Sequence, residues 1–236
     1  METPDINHHY SQQFNNELED IRSRVLAMGG LVEKQLAEAI AALSQGRSDI
    51  AEEVVSGDYK VNAFDVEIDE RCTKILALRK PSASDLRLVL AVIKTTADLE
   101  RIGDEAKRVA RMAIGAASGD HGRNLFGQIA HLGSLVQGML HRVLDAFARM
   151  DVDAAISVAH DDRDIDREYE SVMRQSMTYM MEDPRSIPNV IDLIWAARAL
   201  ERSGDRCCNI SEYIIYFVKG KDVRHTSLEQ IRAEFG

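Results

Sequence analysis

The chain has little of what interrupts helices and little of what builds sheets. Its 236 residues include four prolines, fourteen glycines and 6% aromatics. No Val/Ile/Thr-rich alternating run bounded by turn residues stands out, so strands are not expected. Cys72, Cys207 and Cys208 make neither a CxxC pair nor an even disulfide set, which points to reduced thiols in a reducing compartment. No run of about eighteen apolar residues exists, which excludes a bilayer-spanning helix. Residues 1–10 lack the basic and apolar regions of a signal peptide, and a cytoplasmic protein is expected. Positive charge is also short: 29 Lys and Arg against 39 Asp and Glu give a net charge of −10. That excludes a surface basic enough for general nucleic-acid binding. The acidity suits a bound cation or a basic protein partner, or serves solubility alone.

What is present is helical. Leu18, Ile21, Val25, Met28, Val32, Leu36, Ala39 and Leu43 step by threes and fours, the stripe of one long amphipathic helix with a kink expected at Gly29-Gly30. Residues 45–49 stop and restart it, with Gly46 as terminator and Ser48 or Asp49 as the next cap. A second helix carries Ile50 to Leu76 and ends at Lys80-Pro81-Ser82, since the residue before proline disfavours helix. A third runs over about 84–114, and residues 115–122 (GAASGDHG) read as a linker. The pattern then repeats. Leu125, Ile129, Leu132, Val136, Met139, Val143 and Ala146 mark a fourth helix. A fifth spans about 152–181 up to Asp183-Pro184-Arg185, and a sixth spans about 188–218. The expected units are 1–116, 123–219 and a polar tail, 220–236, with little to bury.

Glu100-Arg101-Ile102-Gly103-Asp104 returns as Glu201-Arg202-Ser203-Gly204-Asp205. Carboxylates at i and i+4 share a helix face and can reach one cation. A mid-helix glycine costs about 1 kcal/mol against alanine, so its appearance in both copies implies a packing reason. The flanks align as well: Asp58, Val61 and Asn62 match Asp162, Ile165 and Asp166, and Pro81 falls near Pro184. Three antiparallel amphipathic helices can bury their stripes where one cannot. The fold class is therefore all-α, as two tandem pseudo-symmetric three-helix bundles. A continuous six-helix bundle is the competing arrangement.

On the sixth helix Glu201, Asp205, Asn209 and Glu212 form one polar stripe. On the third, Glu100 and Asp104 are followed by Arg108 and Arg111. Such oxygen donors suit Mg²⁺, Ca²⁺ or Mn²⁺, and carboxylate clusters also hold iron. Two carboxylates fill only part of a coordination shell, so Asp58, Asn62, Asp65 and Glu67, and their counterparts Asp162, Asp166 and Glu168, are the further candidate ligands. The competing reading is of solvated faces, with Glu100 paired to Arg101 or Lys107 for a few tenths of a kcal/mol. Sharper motifs fail. Residues 162–173 begin like an EF-hand loop but have Arg167 where Gly is needed and Met173 where Glu is needed. No histidine follows Glu by three as a di-iron bundle requires, no phosphate-binding glycine loop exists, and no nucleophile elbow appears. Catalysis has no candidate. His8-His9 is an incidental terminal pair, Trp195 reads as core, and Met173, Met177, Met180 and Met181 read as packing or as an adaptable partner surface.

Taken together, these features resemble the PhoU family of phosphate-transport accessory regulators. The resemblance spans roughly residues 10–218 and is strongest in Leu99 to Asp104 and Ala199 to Asp205, which look like that family's paired metal motifs. Residues 58–62, 81–87 and 179–185 also look like family sequence. The resemblance implies two three-helix bundles, a homodimer or higher oligomer, and metal (magnesium, manganese, iron or zinc) on the acidic motifs. It further implies repression of the phosphate-starvation response without catalysis. The expected partners are the ATPase subunit of a phosphate ABC transporter and a phosphate-sensing histidine kinase, met at the inner membrane face. One departure is Arg108, where the family often carries Asn, as at Asn209. Cations there are expected to weaken the first acidic site relative to the second.

Overall fold

The computed structural model describes residues 6–116 and 123–235, and every element among them is helical. The first half contains α1 (Ile6–Gln45), α2 (Ser48–Gly57), α3 (Tyr59–Arg79) and α4 (Ala83–Ala116). The second contains α5 (Arg123–Arg149), α6 (Val152–Glu182) and α7 (Ile187–Lys219), followed by α8 (Leu228–Phe235). The expected pair of three-helix bundles is present, with α2 and α3 together serving as one helix. They part only at Asp58, whose backbone stays helical at φ −58°, ψ −32°. The side chains of His8 and His9, and residues 117–122 of the linker, lie outside the described residues.

The joints show how similar the halves are. Gly46, at φ 66°, turns the chain out of α1, a conformation that costs glycine little. Met150 takes the same left-handed place between α5 and α6, at φ 53°. Asp151 then caps α6, its Oδ1 accepting the Ala154 N–H at 2.9 Å. In the first half the cap position falls on Arg47, not on Ser48 or Asp49, and Asp49 forms an ion pair with Arg47 at 2.6 Å. Lys80, at φ 47°, ends α3 ahead of Pro81 as expected.

The stripes read from the sequence are buried, and they merge into one core. α4 packs along α7 and α1 packs along α5, so the two bundles share their hydrophobic interior. Gly29-Gly30 does not interrupt α1, which is one helix over Ile6–Gln45. A Cβ on Gly29 would lie 2.5 Å from Leu144 Cδ2, and one on Gly133 would lie 2.9 Å from Ile40 Cδ1 and Cγ1. These glycines let α1 and α5 close on each other. Arg22 adds a hydrogen bond to the Ala148 carbonyl, and His141 Nδ1 lies 2.9 Å from Glu33 across the same seam.

Two expectations are corrected. The tail is not without burial, since Val223 and Ile231 are buried and α8 lies on α6. Trp195 is 52% exposed, because α7 buries Val190, Leu193, Ala196 and Ala197 on its inner side and leaves Ile191 and Trp195 outward. Met177 and Met181 are exposed on α6, while Met173 and Met180 are half-buried. Cys72 and Cys207 are buried and Cys208 half-buried, consistent with helix interiors.

Replacing Gly133 with alanine should destabilise the fold by about 1–3 kcal/mol through overpacking, despite alanine's higher helix propensity. Ile40→Ala removes the atoms in the way, so the two changes should couple favourably in a double-mutant cycle. Gly30, with nothing within 4 Å of its would-be Cβ, is the control. Gly30→Ala should stabilise by up to about 1 kcal/mol. Urea unfolding of the wild type and the four variants checks this.

Candidate metal centre

Each position of the duplicated motif has its own task. The glycine brings two helices together: a Cβ on Gly103 would lie 3.3 Å from Val61 Cγ1, and one on Gly204 would lie 3.1 Å from Ile165 Cδ1. Val61 and Ile165 are the residues that the repeat alignment pairs. Ile102 and Ser203, just before the glycines, are fully buried, and Ser203 Oγ donates to the Ala199 carbonyl at 2.9 Å. The acidic residues, four apart, flank the glycine on the side facing the neighbouring helix. In the second half this gathers Glu201 and Asp205 of α7 around Asp162 and Asp166 of α6. In the first it gathers Glu100 and Asp104 of α4 around Asp58 and Asp65.

The crowding shows in the proton affinities. Burial, followed by the charges of Asp166 and Asp205, pushes the Asp162 carboxyl up to about 6. Burial and Asp205 raise Glu201, while burial and Asp166 raise Asp205. Burial, Asp104 and Asp65 raise Glu100. Glu201 Oε1 is held by Arg198 at 2.6 Å, but its Oε2 is buried without a hydrogen-bond partner. Leaving such an oxygen unsatisfied costs about 1–3 kcal/mol, so the second face is short of a donor or a cation. Among the described residues no three His, Cys, Asp or Glu side chains stand close enough to hold an ion as they are. An ion would have to draw these carboxylates together. The donor set is all oxygen, which fits magnesium, manganese or iron better than zinc.

The two faces differ chemically. Lys107 Nζ lies 2.6 Å from Asp58 Oδ2 and 3.9 Å from Asp104 Oδ1. At the matching place in the second half, four residues after the glycine, stands Cys208, which hydrogen-bonds Asp162 and is kept protonated by burial. Arg108, expected to crowd the first acidic pair, instead reaches Glu105 at 3.2 Å. Arg101 turns to Asp98, at 3.2 Å. Glu212 does not extend the second face. It lies among Asp222, Arg224 and His225 near the tail, where burial and Asp222 raise its proton affinity. Asn209 is half-buried on α7 and Asn62 is exposed on α3.

Sequence reading missed the polar seam between the halves. Asp98 is 1% exposed and accepts a hydrogen bond from Tyr213 Oη at 2.9 Å, with Arg206 at 3.5 Å. Glu105 is 7% exposed and meets Arg202 at 3.0 Å. The available signal was two carboxylates, Asp98 and Glu105, inside the apolar stripe of the third helix.

Comparison with known proteins agrees with the duplication. A family described as the PhoU domain matches residues 25–113 and again 129–214. A protein of Serratia marcescens named phosphate-specific transport system accessory protein PhoU is 54% identical over 225 residues, covering 95% of this chain and 92% of its own. One of the same name from Escherichia coli strain K12 is 50% identical over 231 residues, covering 98% and 95%. The crystal structure of PhoU from Pseudomonas aeruginosa superposes with TM-score 0.86 at 51% identity, over 88% of this chain and 100% of that one. The phosphate transport system regulatory protein PhoU from Streptococcus pneumoniae does so with TM-score 0.83 at 30% identity, over 89% and 99%.

The raised Asp162 carboxyl predicts a pH signature. Its folded value, about 6, lies above the ordinary 3.8, so the folded chain holds the proton more tightly than the unfolded chain does. Its contribution to stability is present at low pH and is lost as pH rises through about 6. Asp162→Asn should therefore stabilise the metal-free protein at pH 7.5 by about 1–2 kcal/mol, allowing for partial solvent screening, and by only about a third of that at pH 4.5. Thermal melts in chelator at both pH values check the sign.

Proposed function

The chain belongs to the PhoU family, and on that premise we propose that it is a non-catalytic, metal-binding accessory regulator of a phosphate-specific transport system. It holds down the phosphate-starvation response when phosphate is plentiful and tunes uptake through the transporter. The observation that carries this reading is identity of half or more, over nearly the whole chain, to relatives named as accessory proteins of that system. Its partners in this reading are the ATPase subunit of the transporter, a phosphate-sensing histidine kinase and a second copy of itself. No described helix is long and apolar enough to cross a membrane. In this reading the chain meets the inner membrane face through its partners.

The ion belongs to the second face. Glu201, Asp205, Asp162 and Asp166 would hold it, and it would supply the positive charge that the orphaned Glu201 oxygen and the crowded Asp162 lack. Bound there, it would tie α6 to α7 and relieve their mutual repulsion. Magnesium, manganese and iron suit these donors; zinc, which prefers nitrogen and sulfur, suits them least.

A strain lacking the gene, carrying a phosphate-starvation promoter fused to a reporter, tests both parts. Deletion should leave the reporter on in high phosphate, and the intact chain should switch it off. The Glu201→Gln/Asp205→Asn variant should bind less metal and restore repression only partly. Full repression in the deletion strain would contradict the regulatory role. Full repression by the double variant, with metal content equal to wild type, would favour an ion-free scaffold.

A further inference from the structure

We propose that Lys107 is a built-in cation that closes the first acidic face to metal, leaving the chain with one ion-responsive half. The proposal rests on the reading that the second face accepts an ion. The two faces have the same shape: Gly103 sits on Val61 as Gly204 sits on Ile165. What differs is the charge placed between the carboxylates. In the first half the Lys107 ammonium lies 2.6 Å from Asp58, whose side chain is 5% exposed, and 3.9 Å from Asp104. It links α4 to the joint between α2 and α3, the two elements an ion on that face would bridge. A divalent ion on the same carboxylates would need them within about 2.0–2.6 Å and would meet the ammonium's charge at close range. Expelling Lys107 would in turn break a buried ion pair, which is costly.

The second half lacks this device. Its counterpart of Lys107 is Cys208, a neutral side chain beside Asp162. Among Asp162, Asp166, Glu201 and Asp205 the nearby cations are engaged elsewhere or at the edge: Arg198 holds one oxygen of Glu201, while Arg202 and Arg206, whose charges also reach Asp205, are drawn to Glu105 and Asp98. Arg108 plays no part in the contrast, because it is engaged with Glu105. The first half therefore keeps α4 on α2 and α3 at any ion level, while the second tightens only when an ion is present.

Titration calorimetry with Mn²⁺ on the full chain tests this, with folding followed by circular dichroism. The wild type should bind a single equivalent, lost in Glu201→Gln/Asp205→Asn. Adding Lys107→Met to that double variant should restore binding at least ~10-fold above its background. If Lys107→Met fails to fold because Asp58 is stranded, Lys107→Gln keeps a hydrogen-bond donor without the charge and serves instead. The reciprocal Cys208→Lys should weaken Mn²⁺ binding to the otherwise wild-type chain at least ~10-fold. The proposal is overturned by a wild-type chain that binds a second equivalent lost on Asp104→Asn, or by folded Lys107 variants that gain nothing. A gain in the Lys107 variants with none bound by wild type would sink the ion reading of the second face but uphold this one. No Mn²⁺ bound by any variant would overturn both.

Discussion

The close approach of helix backbones at Gly103 and Gly204 is the constraint on which the rest depends. A side chain at Gly204 would press on Ile165 Cδ1 at 3.1 Å, so Ile165 or α7 would have to give by a few tenths of an ångström, and Asp162 Oδ1 stands 3.5 Å from the place of that Cβ. Proximity makes the carboxylates of two helices neighbours, and the surrounding core removes the water that would screen them. The same contact is thus a packing feature and the source of the acidic face. A glycine costs helix propensity, and the fold recovers that cost in the burial of Val61 and Ile165.

Close to this face lies the seam that joins the halves. Arg202, inside the duplicated motif, reaches across to Glu105 of the first bundle, while Arg206 and Tyr213 reach Asp98. Buried ion pairs add little net stability, since desolvation offsets attraction, but they penalise any register in which a partner is lost. Residues that form the acidic face and residues that hold the seam alternate along one turn of α7. In the reading proposed above, a change at Asp205 has only one helical turn to travel before it meets a contact with α4.

The helices were legible because their stripes are long and regular, and the duplication was legible because Glu, Gly and Asp recur at fixed spacing. Local charge partners were not. Arg108 lies next in the polar stripe after Asp104, yet it turns to Glu105, which is buried in the seam and has stronger need of a cation. Lys107, one of two partners that the solvated-face reading offered Glu100, reaches Asp58 instead because α4 packs on the joint of α2 and α3. Glu212 shares a stripe with Glu201 but sits three turns further along, where it meets Asp222, Arg224 and His225 of the tail and not the acids of α6. Trp195 read as core from its apolar neighbours, although α7 buries only one side there. In each case helical period gave the face and tertiary packing chose the partner.

In the reading proposed above, duplication of the fold did not duplicate the ion site. Anomalous diffraction from crystals grown with Mn²⁺ tests it most directly, because it locates ions without reference to stability or activity. One manganese peak per chain is expected, between α6 and α7, within coordination distance of Glu201, Asp205 and Asp162. A peak of equal height beside Glu100, Asp104 and Asp58, with Lys107 displaced, would contradict it.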